Sequence, residues 1–216
     1  MLRYIYDKAA SAAVNMAIDE LLFDLVQKEP VLRIYFWDKA YTTIGYFQKN
    51  ECSAVRRLTG GLTVNHQNDL SYGFCAGAEE WPYAYDQRDT YKHIHTAIKK
   101  ALQNINIKSS FAEIKQTVAN AVFCVQTLYD EDLILDGKKI VGSCMRRRGK
   151  KILVQGSLHL NLETFSKEIF SDTFAINMAE ILNTGVKKDK LTEDEIKKAY
   201  LISEEKYSNA QWNNKF

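Results

Sequence analysis

The fold is decided by the stretch from Val55 to Phe74, which reads V-R-R-L-T-G-G-L-T-V-N-H-Q-N-D-L-S-Y-G-F. After its glycine pair, apolar residues alternate with smaller or polar ones at Leu62 and Val64 and again at Leu70, Tyr72 and Phe74, which predicts two half-buried strands. Gly60-Gly61 lets the backbone adopt positive φ and approach a ligand closely. Backbone N–H groups left free by such a turn, together with Arg56 and Arg57, favour a pocket for a carboxylate, phosphate or thioester oxygen. The alternative is a β-hairpin whose arginines are solvated.

The composition is that of one large domain. The chain has 216 residues, of which 46% are hydrophobic, enough for a substantial core. Its 29 Lys and Arg residues nearly balance 27 Asp and Glu, so we expect no nucleic-acid partner. No apolar run reaches about 18 residues, and the N-terminus lacks a signal-peptide core. We therefore expect no membrane partner and a cytoplasmic location.

Cysteine and histidine spacing argues against a metal site. None of the four cysteines, Cys52, Cys75, Cys124 and Cys144, forms a C-x-x-C pair, so a zinc site is not expected. In a reducing compartment they should be free thiols. His93 and His95 are two residues apart on a predicted helix, so they face different sides and we expect them at the surface.

Hydrophobic periodicity predicts helices and strands along the first half of the chain. The predicted elements are an edge strand at residues 1–8, a helix at 11–28, strands at 31–37 and 42–47, and a helix at 86–104.

The second half predicts an antiparallel meander followed by helices. Strand-forming residues occur at 118–125 and 132–135, and Asp136-Gly137 is a strong hairpin signal. Return strands are expected at 138–148 and 152–162. From Glu163 onward the pattern is charged and helical, and the final polar residues are expected to fray.

The arginine–glycine stretch resembles the family that contains the lipoate-protein ligases, the octanoyltransferases and, more distantly, the biotin-protein ligases. The family string is close to R-R-x-[ST]-G-G-x-x-V-x-H, followed by an acidic-polar turn and L-x-Y-S. The matching residues here are Arg56, Arg57, Thr59, Gly60, Gly61, Val64, His66, Asp69, Leu70 and Tyr72. The biotin-ligase string G-R-G-R-x-G-R is absent.

A second motif of that family, G-x-K-I-x-G-S, resembles the segment that contains Lys139, Gly142 and Ser143. The resemblance implies that Lys139 points into the pocket and holds an acyl carbonyl as a fixed cation. Cys124 precedes Lys139 by 15 residues, the spacing of the nucleophilic cysteine in the single-domain octanoyltransferases. A thiolate beside an ammonium group can attack a thioester. The apolar run around Cys124 instead favours a buried, inert thiol.

The resemblance implies a set of site residues. It implies that Cys124 and Lys139 are the catalytic residues. The substrate-binding residues that it implies are Arg56, Arg57, Thr59, Gly60, Gly61, His66, Gly142 and Ser143. For His66, a hydrogen-bonded structural role is the alternative.

The implied fold is α/β (α+β), a mixed, mostly antiparallel sheet flanked by helices, in one domain over 1–216. Its core covers about residues 10–165 and its helical C-terminal part about 163–208. The implied activity moves an octanoyl or lipoyl group from octanoyl-acyl carrier protein to a lysine of a lipoyl-carrier domain, such as glycine cleavage H protein or a dehydrogenase E2 domain. It needs no cofactor.

Two other functions stay open. An ATP-dependent lipoate-protein ligase would need ATP and Mg²⁺, and a separate partner chain in place of an accessory domain. A non-catalytic lipoyl-binding paralogue is also compatible with two departures from the family pattern. The segment after Gln48 is too short for the helix that relatives have there, and V-Q-G-S stands where relatives often have Q-H-G-S.

Overall fold

The computed structural model describes residues 1–113 and 121–216, apart from the side chain of Val125. Its strands are β1 (Leu2–Ala10), β2 (Val31–Trp37), β3 (Tyr41–Ile44), β4 (Val55–Arg56), β5 (Val64–His66), β6 (Leu70–Gly77), β7 (Ser110–Phe111), β8 (Leu133–Leu135), β9 (Lys138–Arg148), β10 (Lys151–Leu158) and β11 (Val186–Asp189). Its α-helices are α1 (Ala12–Leu25), α2 (Gln87–Asn104), α3 (Lys167–Ile181), α4 (Glu193–Ile202) and α5 (Ala210–Asn213).

Eight of these strands form one large sheet in the order β11-β1-β2-β6-β10-β9-β8-β7. The pairs from β2 to β7 are antiparallel, whereas β1 runs parallel to both β2 and β11. Helices α2 and α3 pack together over one face, and α1 and α4 pack over the other. The predicted mixed, mostly antiparallel sheet flanked by helices is therefore confirmed. Among the described residues, no helix is long and apolar enough to cross a membrane.

Strands β5 and β6, which both follow the glycine pair, do not form a hairpin with each other. Strand β5 belongs to a small sheet of order β4-β3-β5, whereas β6 lies inside the large sheet. The turn between them therefore carries the chain from one sheet to the other, and the glycine loop lies where the two sheets meet.

Strand β1 is not the edge strand that the sequence predicts. It is covered on its outer side by β11, which pairs with it in parallel from Leu2 to Ile5. Strand β11 lies in the C-terminal part that the sequence predicts to be helical. It was not predicted because Val186–Asp189 reads V-K-K-D, and its charged side chains stay in solvent. An edge strand with lysines has little apolar pattern to detect.

A buried ion pair fastens α1 to the large sheet. Arg33 of β2 and Asp19 of α1 are almost completely inaccessible, and the guanidinium donates to the carboxylate over 2.9 Å. Asp19 also accepts from Tyr35 over 3.0 Å and from Gln155 of β10 over 2.7 Å. Arg33 donates to the side chain of Asn15 over 2.7 Å. The segment N-M-A-I-D-E therefore supplies buried polar partners as well as an apolar face.

Gly73 makes room for this ion pair. In the sheet it lies between Arg33 on β2 and Gln155 on β10. A methyl group at Gly73 would lie 2.8 Å from a carboxylate oxygen of Asp19. The missing side chain lets Asp19 lie flat on the sheet and reach both neighbouring strands.

The C-terminal residues pack against the arginine segment, so the predicted fraying is wrong. Trp212 donates its indole N–H to the Arg56 carbonyl over 3.0 Å, and Asn213 accepts from the Arg56 amide over 2.9 Å. The Arg56 guanidinium in turn donates to backbone carbonyls of Gly45, Tyr46, Gln48, Trp212 and Asn213. The prediction failed because polar residues can be held by hydrogen bonds to the backbone as well as by apolar burial.

Replacing Arg33 with Met should cost about 3–5 kcal/mol of unfolding free energy, because Asp19 then stays buried without its cation. In that background Asp19→Asn should restore stability, although the same substitution destabilises the wild type. Chemical denaturation at neutral pH measures all four proteins. Arg148→Met is the matched control, since the half-exposed pair of Arg148 with Asp24 should contribute less than about 1 kcal/mol. Equal costs for the two Arg→Met changes would contradict the central role of the pair.

Candidate active site

Cys124 lies on a short 3-10 turn, Cys124–Gln126, that is tied to the glycine loop. The Thr63 amide donates to the Val122 carbonyl over 2.9 Å, and the Cys124 amide donates to the Thr63 carbonyl over 3.0 Å. The strand predicted at 118–125 is therefore wrong at its described end, and residues 118–120 lie outside the described residues. A single bridge to Thr63, in place of a strand, brings the thiol beside the arginine–glycine motif.

Lys139 at the start of β9 is held by two acceptors. Its ammonium pairs with Asp132 over 2.7 Å and donates to the Thr127 carbonyl over 3.2 Å. Burial opposes its charge, but Cys124 and Asp132 outweigh that effect and raise the pKa of Lys139. A methyl group at Gly142 would lie 3.0 Å from the Cys124 sulfur and 3.4 Å from the Lys139 nitrogen. The missing side chain of Gly142 thus leaves room for both the Cys124 thiol and the Lys139 ammonium.

Two cavities meet at these groups. A cavity of about 140 Å³ is lined by Met16, Tyr35, Trp37, Thr43, Arg57, Thr63, Val64, Asn65, His66, Ser71, Phe123, Cys124, Lys139, Gly142, Cys144, Gln155, Gly156, Ser157 and His159. We call it the inner cavity. A cavity of about 440 Å³, the outer cavity, is lined by Gly60, Gly61, Leu62, Gln87, Arg88, Tyr91, Cys124, Thr127, Tyr129, Glu131, Asp132, Lys139, Ser143, Cys144 and Met145. Three residues line both: Cys124, Lys139 and Cys144.

A chain of hydrogen bonds fixes the tautomer of His66. Arg57 donates to the Thr43 hydroxyl over 2.7 Å, so that hydroxyl gives its own proton to His66 Nε2, 2.8 Å away. His66 Nδ1 then carries the hydrogen and donates to Asp69 over 2.7 Å. Burial lowers the pKa of His66 despite the carboxylate of Asp69. The imidazole is neutral at physiological pH and stacks on Trp37 with the ring centroids 3.9 Å apart.

The glycine loop approaches its neighbours more closely than side chains would allow. Gly61 has φ +85°, as the sequence predicts, and a methyl group there would lie 2.1 Å from the Cys144 sulfur. A methyl group at Gly45 would lie 1.9 Å from the Gly61 carbonyl oxygen. The second guanidinium nitrogen of Arg57 donates to the Gly60 carbonyl over 3.1 Å. Arg57 therefore shapes the loop as well as lining the inner cavity.

His95 is completely buried, so the prediction of a surface residue is wrong for it. Its Nδ1 donates to the Glu131 carbonyl, and its Nε2 accepts from the Ser143 hydroxyl over 2.7 Å. Ser143 in turn accepts from the Tyr72 hydroxyl. Burial lowers the pKa of His95, which is therefore neutral. A histidine can be buried when both ring nitrogens have hydrogen-bond partners. The spacing of residues along a helix does not show whether such partners exist.

The structure brings together most of the residues that the sequence indicates. Those that line a cavity are Cys124, Lys139, Arg57, His66, Gly142, Gly60, Gly61 and Ser143. Arg56 and Thr59 line neither. The Arg56 guanidinium is occupied by backbone carbonyls, and the Thr59 hydroxyl donates to Gln155 over 2.8 Å behind the loop. Among the described residues, no cluster of three or more metal-binding side chains occurs.

Comparison with known proteins shows the family of the chain. The family model of the lipoyl protein ligase A/B catalytic domain matches residues 11–198. The chain belongs to this family. The octanoyltransferase LipM of Oceanobacillus iheyensis is 27% identical, with 95% of this chain and 94% of that protein covered. The octanoyltransferase LipM of Bacillus subtilis is 30% identical, with 74% of this chain and 66% of that protein covered.

Solved structures share the fold of this lipoyl protein ligase family member. A lipoate-protein ligase A bound with ATP has a TM-score of 0.78 at 21% identity, covering 98% of this chain and 97% of that one. A bi-partite lipoate protein ligase of Thermoplasma acidophilum, studied with its E2 lipoyl domain, has a TM-score of 0.76 at 19% identity, covering 98% and 95%. These likenesses show that the chain shares the fold of lipoate-protein ligases.

Sequence reasoning missed Asp132, His95 and His159 in this family member. His159 lines the inner cavity, and burial lowers its pKa. It lies two residues after Ser157, which also lines the inner cavity. Because side chains two residues apart in a strand face the same side, this spacing could have predicted the position of His159. Asp132 is the last of three consecutive acidic residues before a short strand, and nothing in the sequence distinguishes it from Asp130 and Glu131.

The cysteines differ in their surroundings. Cys75 is buried in the α1 face of the sheet, and burial raises the pKa of its thiol well above the ordinary value. Burial also raises the pKa of Cys144 to about 11, so its thiol is protonated at neutral pH. Cys52 is exposed and lies outside both cavities. Cys124, like Cys144, is half-buried and lines both cavities, and its sulfur and the Lys139 ammonium both lie close to Gly142.

The buried histidines should make stability depend on pH. Because burial lowers the pKa of His66, His95 and His159, the unfolded chain binds more protons below about pH 6.5. Stability should therefore be full above that pH and fall as the pH drops from about 7 to 5. We expect His95→Gln to reduce this fall, measured as unfolding free energy at each pH. Tyr72→Phe, which removes a hydroxyl from the same chain but no imidazole, should lower stability without changing the pH slope. An unchanged slope in His95→Gln would contradict the assignment.

Proposed function

We propose that this protein is an octanoyltransferase that carries the acyl group on Cys124. The observation that carries the proposal is that the Cys124 thiol and the Lys139 ammonium both lie close to Gly142, where the inner and outer cavities join. Curated relatives that cover most of the chain are octanoyltransferases, which supports the same reaction. The whole of residues 1–216 acts as one catalytic domain in this proposal.

The first half-reaction loads the enzyme. The Cys124 thiolate attacks the carbonyl carbon of an octanoyl thioester on a carrier protein. A new carbon–sulfur bond forms to Cys124 while the bond to the carrier's sulfur breaks. The carrier leaves as a thiol, having gained the proton that Cys124 lost. No ATP and no metal ion enters this balance, because one thioester replaces another.

The second half-reaction delivers the acyl group to a lysine. The amine nitrogen of an acceptor lysine attacks the acyl carbon, an amide forms, and the bond to Cys124 breaks. The amine loses one proton, and the Cys124 thiol is restored. We propose a lipoyl-carrier domain as the acceptor and the cytoplasm as the compartment. Both cavities reach the Cys124 thiol, so the two half-reactions can use the same centre.

Lys139 provides the electrostatic support for both steps. Its raised pKa keeps it charged at physiological pH, and Asp132 and Thr127 hold its ammonium in place. A fixed cation beside the thiol stabilises the thiolate and the oxyanion that develops on the attacked carbonyl. Because the ammonium is held before substrate arrives, no reorganisation of that group is needed at the moment of reaction.

The inner cavity suits the acyl chain. Its walls include the side chains of Met16, Tyr35 and Trp37, which offer apolar surface to an alkyl chain. His66 and Arg57 lie at its other side and are engaged in hydrogen bonds of their own, so they shape the wall. The resulting site binds a neutral chain and places its carbonyl at the reactive thiol.

An ATP-dependent lipoate ligase is the second candidate, because an ATP-bound lipoate-protein ligase A shares the fold. In that case an acyl-adenylate would replace the acyl-cysteine. The two candidates differ in one requirement that can be measured directly, the need for ATP.

The first test is intact-protein mass after incubation with octanoyl-acyl carrier protein in the absence of ATP. Wild type should gain one octanoyl group, and Cys124→Ala should gain none. Cys144→Ala is the matched control and should still be acylated, since the Cys144 thiol is protonated at neutral pH. Lys139→Met should load the acyl group about 100-fold more slowly, because the fixed cation is lost.

Three results would overturn this function. An adduct that persists in Cys124→Ala would move the nucleophile to another residue. Acceptor modification that requires ATP and lipoate would make the protein a ligase. A chain that binds a lipoyl-carrier domain but transfers nothing under either condition would be a binding paralogue.

A further inference from the structure

A group of cations and aromatic rings lies at the far end of β9. We call it the basic rim and define it as Arg146, Arg147, Lys215, Tyr46, Phe47, Tyr85 and Phe216. Its rings are unusually accessible: Phe47 is 73% exposed, Tyr85 is 67% exposed and Phe216 is 49% exposed. Exposed aromatic rings beside arginines are the composition of protein-binding surfaces, in which such residues supply most of the contact energy.

The cations of the basic rim lack carboxylate partners within the described residues. Arg146, Arg147 and Lys215 take part in none of the ion pairs found there. The stretch 114–120, which lies outside the described residues, contains neither Asp nor Glu. In the same run of basic residues, by contrast, Lys150 pairs with Glu79 over 3.1 Å. The three cations of the basic rim therefore carry positive charge that no carboxylate among the described residues pairs with.

Aromatic rings hold these cations in fixed positions. The Arg146 guanidinium lies 4.8 Å from the centre of the Tyr46 ring. Lys215 donates to the Tyr46 hydroxyl over 2.7 Å, which together with the nearby Arg146 charge lowers the pKa of that tyrosine. Arg147 lies 5.5 Å from the centre of the Tyr85 ring and donates to the Ala84 carbonyl. Cations that are already ordered lose less entropy when a partner binds.

The basic rim borders the outer cavity on two sides. On β9, Met145 lines that cavity and the next two residues are Arg146 and Arg147, which point to opposite faces of the strand. Tyr85 lies two residues before Gln87, which also lines the cavity. On the other side, the Tyr46 amide donates to the Thr59 carbonyl over 2.9 Å, directly before the glycine pair.

The carboxylates inside the outer cavity are neutralised. Glu131 pairs with Arg88, and Asp132 pairs with Lys139. They therefore do not cancel the positive charge at the mouth. A partner that approaches the outer cavity meets a positive, aromatic surface around an opening that leads to Cys124.

We infer that the basic rim docks the acidic surface of the carrier protein that donates the octanoyl group, and that the carrier's flexible arm enters the outer cavity. The inference rests on the proposed function, because only a thioester borne by a protein needs a surface outside the reactive site. The inner cavity takes the acyl chain, the outer cavity takes the arm, and the basic rim binds the folded body of the donor. Charge complementarity of this kind mainly raises the rate of association.

The test compares one acyl group on two donors. Acylation of Cys124 is followed by intact mass with octanoyl-acyl carrier protein and with octanoyl-pantetheine, which has the arm but no protein. The double variant Arg146→Glu/Arg147→Glu should load octanoate at least 10-fold more slowly from the protein donor and at an unchanged rate from the small one. Lys150→Glu, with the same change of charge in the same run, should behave as wild type with both. Raising the salt concentration should slow only the reaction with the protein donor.

Each other outcome has a definite meaning. Equal loss with both donors would show that the arginines act on the site itself, and no loss with either would remove the docking role. Normal loading followed by slow transfer to the lipoyl-carrier domain would assign the basic rim to the acceptor instead. Reduced binding to anionic vesicles, with both acylation rates intact, would assign it to a membrane surface. If wild type accepts octanoate from neither donor, the proposed function fails before the docking inference is reached.

Discussion

The buried ion pair between Arg33 and Asp19 is the interaction on which the rest of the structure depends. It joins a helix to strands β2 and β10, because Asp19 also accepts from Gln155 across the bare backbone of Gly73 in β6. Gln155 in turn accepts from Thr59, immediately before the glycine pair. One polar network therefore reaches from the first helix to the loop at the reactive centre. Buried charges are costly unless they are fully paired, so the network allows few alternative arrangements.

The reactive site also contains a buried charge that is held by hydrogen bonds and an ion pair. Lys139 is charged and buried, and the backbone and Asp132 hold it beside the thiol. Neutral histidines surround this cation and are kept neutral by burial. Lys139 is therefore the fixed positive charge beside Cys124, while the other buried cation of the inner cavity, Arg57, is engaged by Thr43 and the glycine loop. Preorganised charge of this kind acts strongly because little water is present to screen it.

Most of the fold could be predicted from sequence, because strands β2, β8, β9 and β10 and helices α1 and α2 carry clear periodicity and turn signals. The family resemblance of the glycine motif and of the Lys139 segment, with the spacing of Cys124 to Lys139, also indicated which segments form the site. The sequence could not show which tertiary contacts the individual side chains make. Arg56 and Arg57 are adjacent and chemically identical, yet one holds backbone carbonyls and the other lines a cavity. His95 has no motif, and its burial depends on a serine 48 residues away.

The packing of Trp212 and Asn213 against Arg56 has a consequence for biosynthesis. These partners are separated by about 157 positions along the chain, so the arginine segment leaves the ribosome long before the residues that hold it. Contacts between residues so distant in sequence form slowly, and until then the Arg56 guanidinium has only the carbonyls of Gly45, Tyr46 and Gln48 as native partners. The loop that shapes the reactive centre is therefore among the last parts of the nascent protein to become rigid.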